Sequence, residues 1–280
     1  MTSLYSRGLG LIAAGLAGLA GTAWAAGLPG GSSMETFIFV ALHLPAFLLA
    51  IGLHEFSHAY VAVRLGDPTP EDEGRLSLNP LDHLDPVGSL LIILAFTTSL
   101  PVIGWGLPVP VRAGAFRNPI RDMMKVGIAG PMMNLALAGV GALLLWGFET
   151  AMVWFPGALD AVATSRIALL LTAIVSTNLA LAVFNMLPLP PLDGAWVLRE
   201  YLDSRQTLFL AQIEPYGFLI LLLLMQTPFL EVPFRGVFWV MHSLLTSAWA
   251  LAIYLAVVAL AWALLLRSLP HFYLRDSTRS

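Results

Sequence analysis

The chain has 280 residues, of which 58% are hydrophobic and only 11% charged, and its mean hydropathy is +0.81. A soluble domain carries roughly a quarter charged residues, so this chain is too poor in them to cover a water-facing surface. The net charge of −3 says little by itself, because charge in a membrane protein acts through its placement, and nothing here points to nucleic acid. The absence of cysteine excludes disulfides, thiolate catalysis and Cys-based metal sites, so any transition metal must be held by His and carboxylate.

Several apolar runs reach the ~20 residues that a hydrocarbon core demands. They predict an all-α polytopic membrane protein of about six transmembrane helices, with a re-entrant hairpin and a short β-ribbon near the cytoplasmic face. In chain order the expected spans are 9–27, 36–65, 123–148, 166–187, 207–230 and 238–266. The first has two readings. Arg7, an apolar stretch and Ala23-Trp24-Ala25 suit a signal peptide cleaved before Ala26, whereas Gly15, Gly18 and Gly21 suit a close-packed, retained anchor, which is preferred. A seventh run, 88–106, is broken by Pro101, Gly104 and Gly106.

Lys and Arg decide whether that run crosses, since short cytoplasmic loops are enriched in them. If 88–106 does not cross, twelve of the fourteen basic residues lie on one face, and only Arg166 and Arg235 lie on the other. If it crosses, every later loop inverts and the asymmetry is lost. The expectation is therefore a re-entrant segment shielded by protein, with both termini cytoplasmic in the cell (inner) membrane. Three parts follow: 1–33 as anchor or signal peptide, 34–206 as an intramembrane core, and 207–280 as a C-terminal helix pair with a cytoplasmic tail.

The second span ends in AIGLHEFSHAYVAVRLGD, residues 50–67. Ionisable groups at membrane depth are costly and need a reason. His54 and His58 are four apart, so on a helix they share one face. H-E-x-x-H on a helix is the zincin arrangement, in which two imidazoles ligate zinc and the glutamate, here Glu55, activates the attacking water. A catalytic zinc wants a third protein ligand from another segment at similar depth. The candidate is Asp193 in FNMLPLPPLDGAWVLRE, residues 184–200, where the fourth span is broken by Pro188, Pro190 and Pro191. The charge-based topology returns that span to the face that carries His54 and His58.

His54-Glu55-x-x-His58 followed by Asn185-x-x-Pro188-x-x-x-x-Asp193-Gly194 resembles the site-2 protease family of intramembrane metalloproteases. GRLSLNPLDHLDPVG (74–88), GWGLPVPV (104–111) and GIAGPMMN (127–134) resemble a compact bacterial subgroup without PDZ-like or CBS-like domains. The resemblance implies zinc-dependent cleavage of a transmembrane helix in a single-span substrate, often in regulated proteolysis. It implies one zinc on His54, His58 and Asp193, Glu55 as the base, and Asn185 beside the scissile carbonyl. Two neutral imidazoles and one carboxylate leave the metal a net charge of about +1, which preserves its Lewis acidity. Asn185 could donate to the oxyanion, a contact worth roughly 3 kcal/mol in comparable sites. The alternative for Asn185 is a helix-end amide that satisfies backbone freed by Pro188.

Other features are weaker. His43 lies about 16 Å along the axis from His54, too far to share a metal. Asn134 is expected to hydrogen-bond between helices near the site, with a substrate contact as the alternative. Residues 75–78 and 109–112 could pair as the β-ribbon, whose free edge, with Val109 and Val111, would hold an unwound substrate by strand addition. Two competing readings, a metal-binding or transport protein and a catalytically silent helix binder, are less economical. A transporter has little use for a carboxylate beside the first His.

Overall fold

The computed structural model describes residues 33–97, 105–225 and 227–270, so the span expected at 9–27 lies outside the described residues. The described part is helical: α1 (Ser33–Leu65), α2 (Thr69–Asp72), α3 (Pro86–Thr97), α4 (Pro119–Trp154), α5 (Ala161–Asn185), α6 (Gly194–Arg199), α7 (Ser204–Ile213), α8 (Gly217–Met225), α9 (Glu231–Thr246) and α10 (Ala248–Arg267). Among the described residues, five stretches are long and apolar enough to cross a membrane: Val40–Leu65, Pro119–Trp154, Ala161–Asn185, Ser204–Leu224 and Ala248–Arg267. With these helices the chain is a multi-pass membrane protein whose described part is mostly helical.

At the centre, α1, α4 and α5 pack on one another, with α6 and α10 against α4 and α9 against α5. Small residues on α4 allow the close approach. A Cβ at Gly141 would lie 3.0 Å from Ile174 of α5, and one at Gly139 would lie 2.7 Å from Leu255 of α10. Without a hydrophobic drive between helices in lipid, such contact is where packing energy is gained. Beside it Leu145, Val175, Leu179, Val237, Met241 and Leu244 form a buried apolar cluster.

Several boundaries differ from the sequence expectation for visible reasons. Asp160 caps α5 by accepting from the Ala163 amide, so the helix starts at Ala161 rather than 166. The run at 207–230 starts earlier, at Ser204, behind an Asp203–Gln206 capping box, and passes through a 3-10 turn at Glu214–Tyr216. The run at 238–266 is two helices. Ser247 is extended at φ −135°, and its hydroxyl caps Ala250, which ends α9 and starts α10.

The 88–106 run returns to where it starts. Leu84 pairs with Gly106 in an antiparallel bridge, and the Leu107 amide donates to the His83 carbonyl at 2.8 Å. No strand occurs among the described residues, and the β-ribbon expected between 75–78 and 109–112 is not formed. Pro108 and Pro110 have no N–H to give a ladder. Side chains hold the segment instead: Arg75 Nη2 donates to the Leu107 carbonyl at 2.5 Å, and the Arg112 amide donates to Asp67 Oδ2 at 2.6 Å.

Candidate metal centre

His54 and His58 lie one turn apart on α1, and both are buried, at 5% and 6% exposure. Asp193 arrives from the turn that follows α5. A Cβ at Gly194 would overlap the carbonyls of Met186 and Leu187, so only glycine lets that turn fold this tightly behind Asp193. Asp193 Oδ2 then sits 3.1 Å from His54 Nε2 and 3.3 Å from His58 Nε2, and the two Nε2 atoms are 3.0 Å apart.

Hydrogen bonds behind the rings fix what these atoms are. His58 Nδ1 is 2.7 Å from the Val126 carbonyl, which can only accept, so Nδ1 is a donor and in the neutral ring Nε2 keeps the lone pair. His54 Nδ1 is 2.6 Å from Asn134 Oδ1 and is a donor in the same way. Asp193 Oδ2 is buried and receives no hydrogen bond. With both rings neutral, three electron-pair donors face one point, an arrangement that is costly without a cation. Tetrahedral zinc with bonds of about 2.0–2.1 Å places its ligands about 3.3 Å apart, so the donor set fits this ion.

Around the three donors is a cleft of about 660 Å³, lined among others by Glu55, Val109, Val111 and Asn185. Glu55 Oε2 accepts from the Val109 amide at 3.3 Å, and Asn185 Nδ2 donates to the Leu181 carbonyl of its own helix at 3.1 Å. Asn134 is not in the cleft. It is fully buried behind His54 and bonds Asn178 and the Ala50 carbonyl, so it contacts the ligand's ring and not the space a substrate would fill. Sequence reasoning missed Asn178, although an amide within the apolar 166–187 run was a signal of its own. It also missed Arg75, whose burial to 8% exposure gives its charge a structural duty.

Comparison with known proteins agrees with this site. The family model described as Peptidase family M50 matches residues 115–225. A Bacillus subtilis (strain 168) protein named "Putative zinc metalloprotease YwhC" is 38% identical over 205 residues, covering 70% of this chain and 87% of its own. "Putative zinc metalloprotease Rip2" of Mycolicibacterium smegmatis is 36% identical over 206 residues, 71% of each chain. Its namesake in Mycobacterium tuberculosis (strain H37Rv) is 32% identical over 260 residues, 91% of this chain and 93% of its own. No solved structure matches the chain significantly. On its donor set, its apolar helices and these relatives together, the chain belongs to peptidase family M50, the site-2 protease family of zinc metalloproteases.

Proposed function

We propose that this metalloprotease hydrolyses a peptide bond in or near a transmembrane helix of a single-span membrane protein, within regulated intramembrane proteolysis. One observation carries the reading: three metal donors, a spare carboxylate and a spare amide share one cleft between apolar helices. His54, His58 and Asp193 would hold the zinc, which when bound would supply Lewis acidity and a water-derived nucleophile near neutral pH. Glu55 takes the proton of the attacking water and delivers it to the leaving amine. Asn185 turns its amide from the Leu181 carbonyl to the oxyanion of the scissile bond. Val109 and Val111 also line the cleft and position the unwound backbone, although with Pro108 and Pro110 on either side of Val109 this stretch offers few amides.

The site faces the cytoplasmic side of the cell membrane, and both termini are cytoplasmic. The twelve-to-two basic asymmetry supports this orientation, and so does the return of the 88–106 run to its own starting point. Residues 34–206 act as the catalytic core, with 207–280 as its C-terminal helical support. The substrate is tested by quantitative membrane proteomics of cells with wild-type protein or Glu55→Gln. A single-span protein should accumulate intact in the variant, and identical membrane proteomes would contradict the reading.

A further inference from the structure

The imidazole of His54 is set by a relay of two amides that reaches it from α5 through α4. Asn134 of α4 is 0% exposed and Asn178 of α5 is 1% exposed, so neither can turn to water for a partner. Asn178 Nδ2 donates to the Ile174 carbonyl at 2.9 Å, which leaves its Oδ1 to accept from Asn134 Nδ2, also at 2.9 Å. Asn134 Nδ2 gives its other proton to the Ala50 carbonyl at 3.2 Å, and Asn134 Oδ1 accepts from His54 Nδ1.

The two ends of this relay are backbone carbonyls, which only accept. They leave each amide one sensible orientation. If Asn134 flipped, its oxygen would face two acceptors and its NH₂ would face His54, driving the ring proton to Nε2, where zinc must bind. Buried polar groups left without a partner are costly, so the flipped state is well excluded while Asn178 is present.

We propose that Asn178, which touches neither zinc nor substrate, is a positioning residue that tunes zinc affinity by locking the Asn134 amide and thereby the His54 tautomer. The inference accepts His54 as a zinc ligand but does not depend on proteolysis. Zinc ligands commonly use their second ring nitrogen in this way, and losing such a partner typically weakens metal affinity about 10–100-fold. Asn178→Leu keeps the branched heavy-atom shape but cannot accept a bond, so the lock is lost. Asn178→Asp, protonated at this buried site, can still donate to the Ile174 carbonyl and accept from Asn134. Ser176 is an internal control: it is also buried on α5, but it bonds only the Ala173 carbonyl of its own helix.

The test is zinc affinity of the full-length protein in detergent, read by competition with a chromogenic chelator. Asn178→Leu should bind zinc about 10–100-fold more weakly, Asn178→Asp within about threefold of wild type, and Ser176→Ala unchanged. Wild-type affinity in Asn178→Leu, or an equal loss in Ser176→Ala, would overturn the proposal. A second measurement needs no variant. Nitrogen-15 spectra of zinc-loaded wild type should show the His54 ring proton on Nδ1, and a metal-bound Nδ1 would overturn it equally.

Discussion

Gly130 of α4 lies so close to His54 that a Cβ on it would stand 2.6 Å from the imidazole Nε2, and closer still to that of His58. The missing side chain is the space into which both ligand nitrogens project.

Gly130→Ala should therefore weaken zinc binding by more than about 100-fold, because the rings or the α1–α4 contact must give way. Helix propensity acts in the opposite direction, since Ala is favoured over Gly by about 1 kcal/mol within a helix. A loss of zinc from a variant whose helix is intrinsically favoured isolates the steric cause. Zinc content after gel filtration, with helicity followed by circular dichroism, checks it. Full retention of zinc would show that the rings can move aside freely.

Arg75 should matter for turnover and not for metal. Its guanidinium is buried and holds the Leu107 carbonyl, two residues before the Val109 amide that contacts Glu55. Arg75→Gln should lower cleavage about tenfold while zinc stays at wild-type content, since the loss of a charged hydrogen bond costs ~1.5–3 kcal/mol spread over folding and positioning. Zinc analysis beside cleavage kinetics decides the matter, and an unchanged rate would show that the 105–109 segment is held without Arg75.

Topology is readable because the chain has no native cysteine. Lys125, on α4, is paired with the buried Asp122, so Arg117, exposed in the loop before that helix, is the better probe. A membrane-impermeant maleimide should label Ala158→Cys in intact cells, and Arg117→Cys only after the membrane is opened. The reverse pattern would mean that the 88–106 run crosses the membrane.

Much of the site was legible in the sequence because each half is local. Four-residue spacing places His54 and His58 on one helix face, and three prolines mark the turn that carries Asp193. What the sequence hid depends on register between helices: that Asn134 backs His54, that the Val126 carbonyl backs His58, and that Gly130 faces both rings. In the fold, the apolar runs foretold the long helices well. They overran Ser247, where one capping hydroxyl divides a stretch that is apolar on both sides, and the expected β-ribbon took too little account of the two prolines in 108–110.

The central claim is that Glu55 is a base beside a zinc it does not hold. The most direct measurement sets zinc stoichiometry beside cleavage of one helical membrane substrate for wild type and Glu55→Gln. The account predicts equal zinc, near one per chain, and cleavage lower by about 10²–10⁴-fold, the usual contribution of general acid–base catalysis. Undiminished cleavage by Glu55→Gln would contradict it, and so would zinc lost together with activity.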